Sequence, residues 1–295
     1  MPSLEGLKRK IDSTESLESV VKSMKALAAV NIRQFEDAVE ALKTYNRTVE
    51  MALQAVLRSR PGFSVTARPA APGASGALIF GTDQGMCGPL NDTIVSHALD
   101  ALEFESGRIQ LIAVGPRAAN RLEEAGRQAG RTFSVPGSVG AVTPLVQELV
   151  LEIESWTSGG EINQVFLFHC APQTGASYRP RQVRLLPLDR QWLREIREKP
   201  WPGNQIPWFS MDWEMLFGAL VRQYLFVSLY RAAAESLAAE NASRLAAMQG
   251  AESNIEERLD ALRGQYHRQR QAGITEELLD IVSGFEALES GGRAR

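Results

Sequence analysis

Cysteine and histidine are scarce in this chain of 295 residues, which holds two of the first and three of the second. Cys87 and Cys170 are too few for a disulfide framework and suit a reducing compartment. His97, His169 and His267 stand too far apart for metal-ligand spacing, so a zinc module is excluded. No apolar run approaches the roughly 18 residues that span a bilayer, and the N-terminus has no secretory apolar core. Excess charge is missing too: 32 basic and 35 acidic residues leave a net −3. No cationic field therefore draws the chain to nucleic acid. With 44% hydrophobic and 23% charged residues, what remains is an ordinary globular composition.

Proline is absent from two long stretches. Of the 14 prolines, one is Pro2 and the rest lie between Pro61 and Pro207. Because proline removes a helix donor and clashes with the preceding turn, the two proline-free flanks are free to be long helices. In the first, Ser3 supplies a cap. Its seam steps by threes and fours through Leu4, Leu7, Ile11, Val21, Ala28, Ile32, Phe35, Val39, Leu42, Val49, Leu53 and Val56. Such a repeat demands a supercoiled partner. About 57 helical residues reach roughly 85 Å, so this helix is expected to protrude. The C-terminal flank has its own seam, Met248, Ile255, Leu259, Leu262 and Tyr266. It resumes out of phase after Gly273 with Ile274, Leu278, Ile281, Phe285 and Leu288. The simplest partner for it is the first helix, in an antiparallel coiled coil.

Between the flanks, short apolar runs (77–80, 111–114, 165–169) alternate with helical stretches (91–102, 117–125, 145–156), and 181–188 adds an edge strand. That alternation implies βαβ units around a parallel sheet. The fold class is α/β: a long antiparallel coiled coil of the terminal helices plus a central Rossmann-like domain. The expected division is 1–60 helix, 61–76 linker, 77–207 α/β domain, 208–290 helix and 291–295 tail.

Chemistry is sparse. The glycine-rich turn Gly81–Gly88 has neither dinucleotide spacing nor a P-loop lysine, and a tight strand-to-helix turn is the better reading. Asp83 is expected to bond its own turn. There is no nucleophile motif. Catalytic, cofactor-binding and metal-binding residues are therefore not expected. Lys25 is odd, since it puts a charge on the apolar seam beside Met24. Arg268, Arg270 and Gln271 make a second polar break. An antiparallel pairing is expected to bring both breaks together at one tip, where an outside partner would grip.

These features resemble the gamma subunit of rotary F-type ATP synthases, the central stalk. Three segments in order carry the likeness: Lys22–Ala29 (KSMKALAA), Gly81–Asn91 (GTDQGMCGPLN), and Glu235–Met248 (ESLAAENASRLAAM) followed by Arg270–Glu277 (RQAGITEE). The resemblance implies a rotor shaft within a ring of alpha and beta subunits. Its α/β domain would sit outside with epsilon, against the membrane ring of c subunits. Arg270, Gln271 and Thr275 would then catch beta, and Met24 and Lys25 would meet its lever loop. Ile281, Val282 and Phe285 would run in an apolar bearing, with plain coiled-coil core as the alternative. Tyr230 and Glu235 would face the rotor ring. The implied location is peripheral, on the cytoplasmic face of a bacterial plasma membrane. Gln84 replaces the family's usual arginine and Pro89 a glycine, departures that point to a divergent branch of the alternate, sodium-type bacterial kind. Two other readings compete: a coiled-coil scaffold with an α/β partner-binding domain, and an α/β enzyme with a helical arm.

Overall fold

A computed structural model describes residues 3–60, 74–103, 107–159, 162–173, 177–205 and 207–292, with side chains described as far as residue 283. Most of the expected linker, the side chains of Phe285 and Leu288, and residues 293–295 of the tail lie outside them.

The chain runs α1 (Leu4–Ser59), β1 (Ala74–Phe80), α2 (Leu90–Leu102), β2 (Ile109–Val114), α3 (Pro116–Glu124), β3 (Arg131–Phe133), α4 (Val139–Ser158), β4 (Ile162–Gln173), β5 (Ser177–Leu186), α5 (Arg190–Glu198) and α6 (Trp213–Gly292). Ser3 does cap α1, its Oγ accepting the Gly6 N–H at 3.1 Å. Two elements escape the sequence pattern. β3 has only three residues, and α5 hides in a charged segment whose buried side chains are only Leu193 and Ile196. α4 starts six residues earlier than expected and carries Pro144 inside it. The proline removes one donor near the helix start. The buried face of Val142, Val146, Leu149 and Ile153 outweighs that loss.

Residues 28–246 form one compact unit and residues 1–27 with 247–295 another. In the larger unit the sheet order is β3-β2-β1-β4-β5, with β5 the one antiparallel strand. Its strands alternate between two cores. Leu78, Phe80, Ile112 and Leu167 face α4 and α6, while Ala77, Ile79, Ala113 and Phe168 face α2 and α3. A third cluster packs Leu53 and Leu57 of α1 against Leu193 and Ile196 of α5 and Val227 of α6. In the smaller unit, the N-terminal part of α1 pairs antiparallel with the C-terminal part of α6 through two cross-helix ion pairs, Lys25–Glu252 and Glu15–Arg263.

Candidate functional site

In the paired helices, the seam charge is answered from within. Lys25 Nζ lies 2.7 Å from Glu252 Oε2, and Glu252 occupies the α6 seam between Met248 and Ile255. The hydrogen bond from Lys25 brings the Glu252 carboxyl below its ordinary range, against the opposing pull of desolvation. Glu15 and Arg263 close the second pair at 2.6 Å.

Those pairs fix the register: facing residue numbers add to 277 or 278. Arg268–Gln271 therefore face Leu7–Lys10, and Arg270 lies about 27 Å along α6 from Glu252 at 1.5 Å per residue. The expectation that both polar breaks meet at one tip is thus overturned; they lie at two separate points along the paired helices. Met24 is half-buried, while Arg270, Gln271 and Thr275 are exposed. Thr275 Oγ1 donates back to the Gln271 carbonyl at 2.9 Å.

The register also explains the phase change at Gly273. The residue opposite it is Leu4, where α1 begins, so α6 continues beyond without α1 beside it. Its apolar residues there are bare: Ile274, Leu278 and Leu279 are exposed, Ile281 is 64% exposed and Val282 51%. A coiled-coil core shared with α1 is excluded for Ile281 and Val282. Phe285 continues the same helix, with its side chain outside the described residues.

Within the larger unit, the glycine-rich turn after β1 is closed on itself. Asn91 reaches back from α2, accepting the Thr82 N–H at 3.0 Å and donating to Thr82 Oγ1 at 2.9 Å. A Cβ on Gly81 would stand 2.7 Å from that amide oxygen, and one on Gly115 (φ +104°) would strike the Thr82 backbone. Asp83 does not bond its own turn as expected; its carboxylate accepts the Val135 N–H at 2.9 Å, tying β1's turn to the loop after β3.

Beside this turn lies the crevice between β1 and β4, where strand order reverses and doubly wound sheets receive ligands. Here α6 comes close by means of small residues. Ala232, Ala233, Ala238, Ala239 and Ala242 are all at least 96% buried, and Ala239 reaches the α2–α3 face of the sheet. Ser243 Oγ donates to the Cys87 carbonyl. Arg244 and Glu240 form a buried ion pair one turn apart. Burial raises the Glu240 carboxyl, with Arg244 pulling against it. The protein's own helix occupies much of the crevice, leaving a pocket of about 210 Å³ beside Asp83, Glu240 and Arg244.

Glu235 belongs to this filling rather than to an outer face. It is 6% exposed and bonds His169 Nε2 at 2.8 Å and Arg231 Nε at 2.7 Å, with Arg181 Nη1 at 3.7 Å. Burial alone would raise its carboxyl, but hydrogen bonds from His169 and Arg231 overcome that and hold it at about 2. The expected rotor-ring contact through Glu235 is corrected: its carboxylate is turned inward and consumed. Tyr230 is half-buried against the α4–α6 core, its ring 6.2 Å from that of Phe226.

An apolar surface that sequence reasoning missed lies where α6 starts. Trp208 is 88% exposed, with Met211 at 52% and Met215 at 68%. Asp212 caps the helix, accepting the Glu214 N–H at 3.0 Å, and Trp213 anchors it by donating to the Val56 carbonyl at 2.9 Å. The signal was the aromatic density of 208–213 right after Pro207.

Comparison with known proteins covers nearly the whole chain. The family model described as ATP synthase matches residues 3–288. The ATP synthase gamma chain of Pelotomaculum thermopropionicum is 27% identical over 297 residues, spanning 98% of this chain and all of that one. The gamma chain of Anaeromyxobacter is 28% identical, with the same coverage. Among solved structures, the rotor of the Euglena gracilis mitochondrial ATP synthase is similar at a TM-score of 0.63 and 16% identity, covering 92% of this chain and 98% of that one. The Tetrahymena thermophila central stalk with c-ring aligns at 0.60 and 21% identity, covering 79% and 99%.

Proposed function

The chain belongs to the ATP synthase gamma family, and from that premise we propose how its parts divide the work of a rotary shaft. It is the central rotor shaft of an F-type ATP synthase, linking ion flow through the membrane ring to ATP synthesis or hydrolysis on the beta subunits. The paired helices turn inside the ring of alpha and beta subunits. Each orientation of an asymmetric shaft favours a different conformation of each beta subunit, which is differential binding of one partner to several states of another.

The observation that carries this reading is the stretch of α6 beyond Gly273, helical and apolar with no α1 beside it. A bare apolar helix of this kind fits a greasy collar in which it slides. Ile281, Val282 and Phe285 run in that bearing. Arg270, Gln271 and Thr275, just before it, act as the polar catch on beta, while Met24 and Lys25 meet the beta lever loop at the second station. At the opposite end of α6, we assign the ring-facing foot to Trp208, Met211 and Met215, with Tyr230 at most a neighbour. An epsilon subunit accompanies the α/β domain on the cytoplasmic face of the membrane. Among the described residues no helix is long and apolar enough to cross it.

The test is co-expression with the alpha and beta subunits of the same source, followed by size-exclusion and an ATP hydrolysis assay. Co-elution at hexamer size, with hydrolysis dependent on this chain, is expected. Separate elution with hydrolysis unchanged would defeat the assignment and favour a scaffold.

A further inference from the structure

On the α6 side of the sheet, a cavity of about 350 Å³ opens between β5, α5, α6 and α1. Its floor is the His169–Glu235 pair, and its walls carry the guanidinium groups of Arg181, Arg184 and Arg231. Trp192 and Tyr224, ring centres 4.8 Å apart, supply an aromatic side.

Three arginines and three carboxylates line this cavity, but they are not paired one to one. Arg181 and Arg231 share a single carboxylate, Glu235. Of the two other acids lining it, Asp189 accepts the Gln191 N–H as the cap of α5, and Glu50 sits 4.0 Å from Lys199. Arg184 has no ion-pair partner among the described residues. The floor itself is closed: His169 is 97% buried and bonds Glu235 through Nε2 at 2.8 Å. Arg184 and Arg231 are exposed and Arg181 is half-buried, and guanidinium forks favour oxyanions with several oxygens, which accept two parallel bonds from each fork.

We propose that this cavity is a binding site for a phosphate-bearing anion of mononucleotide size or smaller. Arg184 and Arg181 grip the phosphate, and the Trp192–Tyr224 side accommodates an attached ring where there is one. The volume is at the lower end of that of small-molecule sites. Free inorganic phosphate and the phosphate of a nucleotide share the recognising chemistry. This site is separate from the shaft stations and does not depend on their assignment.

The test is calorimetric titration of the full chain, without other subunits, with inorganic phosphate and with ADP at constant ionic strength. One saturable site is expected. Binding should weaken at least tenfold in Arg184→Gln, and less in Arg184→Lys, with thermal unfolding of the unliganded variants unchanged. Arg181→Gln provides a second variant should Arg184→Gln fold poorly. Saturation by phosphate alone identifies the free ion as ligand; saturation by ADP with phosphate competing identifies a nucleotide, and both support the site. The absence of saturable heat with either, or binding that both variants leave intact, overturns the proposal.

Discussion

Glu235 shows how a single buried carboxylate reports on the whole junction between sheet and helix. Its folded value of about 2 lies below the ordinary carboxylate value, so its contribution is fully present above about pH 4.5 and is lost as pH falls toward 2. The shift corresponds to roughly 3 kcal/mol, from 1.36 kcal/mol per unit, for a side chain that is 8% exposed. Glu235→Gln should therefore lower stability at pH 7 and flatten its fall between pH 5 and 3 in urea unfolding. An unchanged slope would show that other carboxylates carry the acid sensitivity. Glu240 works in the opposite sense. Burial raises its carboxyl, so that group favours the folded chain more as pH falls. The thiols offer a simpler check: burial pushes Cys170 up to about 12 and raises Cys87. Both should resist a thiol reagent at pH 8 in the native chain and react promptly once it is unfolded in urea; fast labelling in native buffer would contradict their burial.

Among the elements, the register of α1 against α6 is the sharpest claim. Lys25→Cys with Glu252→Cys should cross-link under mild oxidation and change mobility on a gel. Lys25→Cys with Arg270→Cys should not, since these positions lie about 27 Å apart along the axis. Cross-linking of the second pair would mean a different register. Both long helices were legible in the sequence, because prolines mark where helices cannot run and the seams step at coiled-coil spacing. The strands were legible as apolar runs ending in glycine turns. What could not be read was pairing. Lys25 looked like an intruder because its answering charge, Glu252, lies 227 residues away. Asp83 likewise bonds a backbone group 52 residues on, beyond any local turn rule. α5 went unseen since tertiary cover, rather than a clear apolar stripe, holds it in place.

At the scale of the molecule, the exposed surfaces separate the work that partners do from what the chain does for itself. Glu235 carried a ring-contact expectation, yet burial removes it; Trp208 carried none and is the most exposed of the large apolar side chains described. Exposure is a three-dimensional property that sequence resemblance alone does not report. Trp208→Ala with Met211→Ala should weaken retention of the chain on purified membrane rings while leaving chain-dependent hydrolysis by alpha and beta intact. Equal retention would move the foot elsewhere. Arg270→Ala with Thr275→Ala should reduce ATP-driven ion pumping more than assembly, because exposed polar contacts at a sliding surface are individually modest. Unchanged pumping would remove them from the catch.

The register of the two long helices has a consequence for how this chain can change over generations. A one-residue deletion in the paired part of α1 would turn all that precedes it by about 100° relative to α6 and carry the buried Leu7 off the seam. Such a slip can be healed only by a matching loss in α6 or by restoring a whole seven-residue step. Insertions and deletions should thus accumulate between the strands, and the helical arms should keep their length while their letters drift.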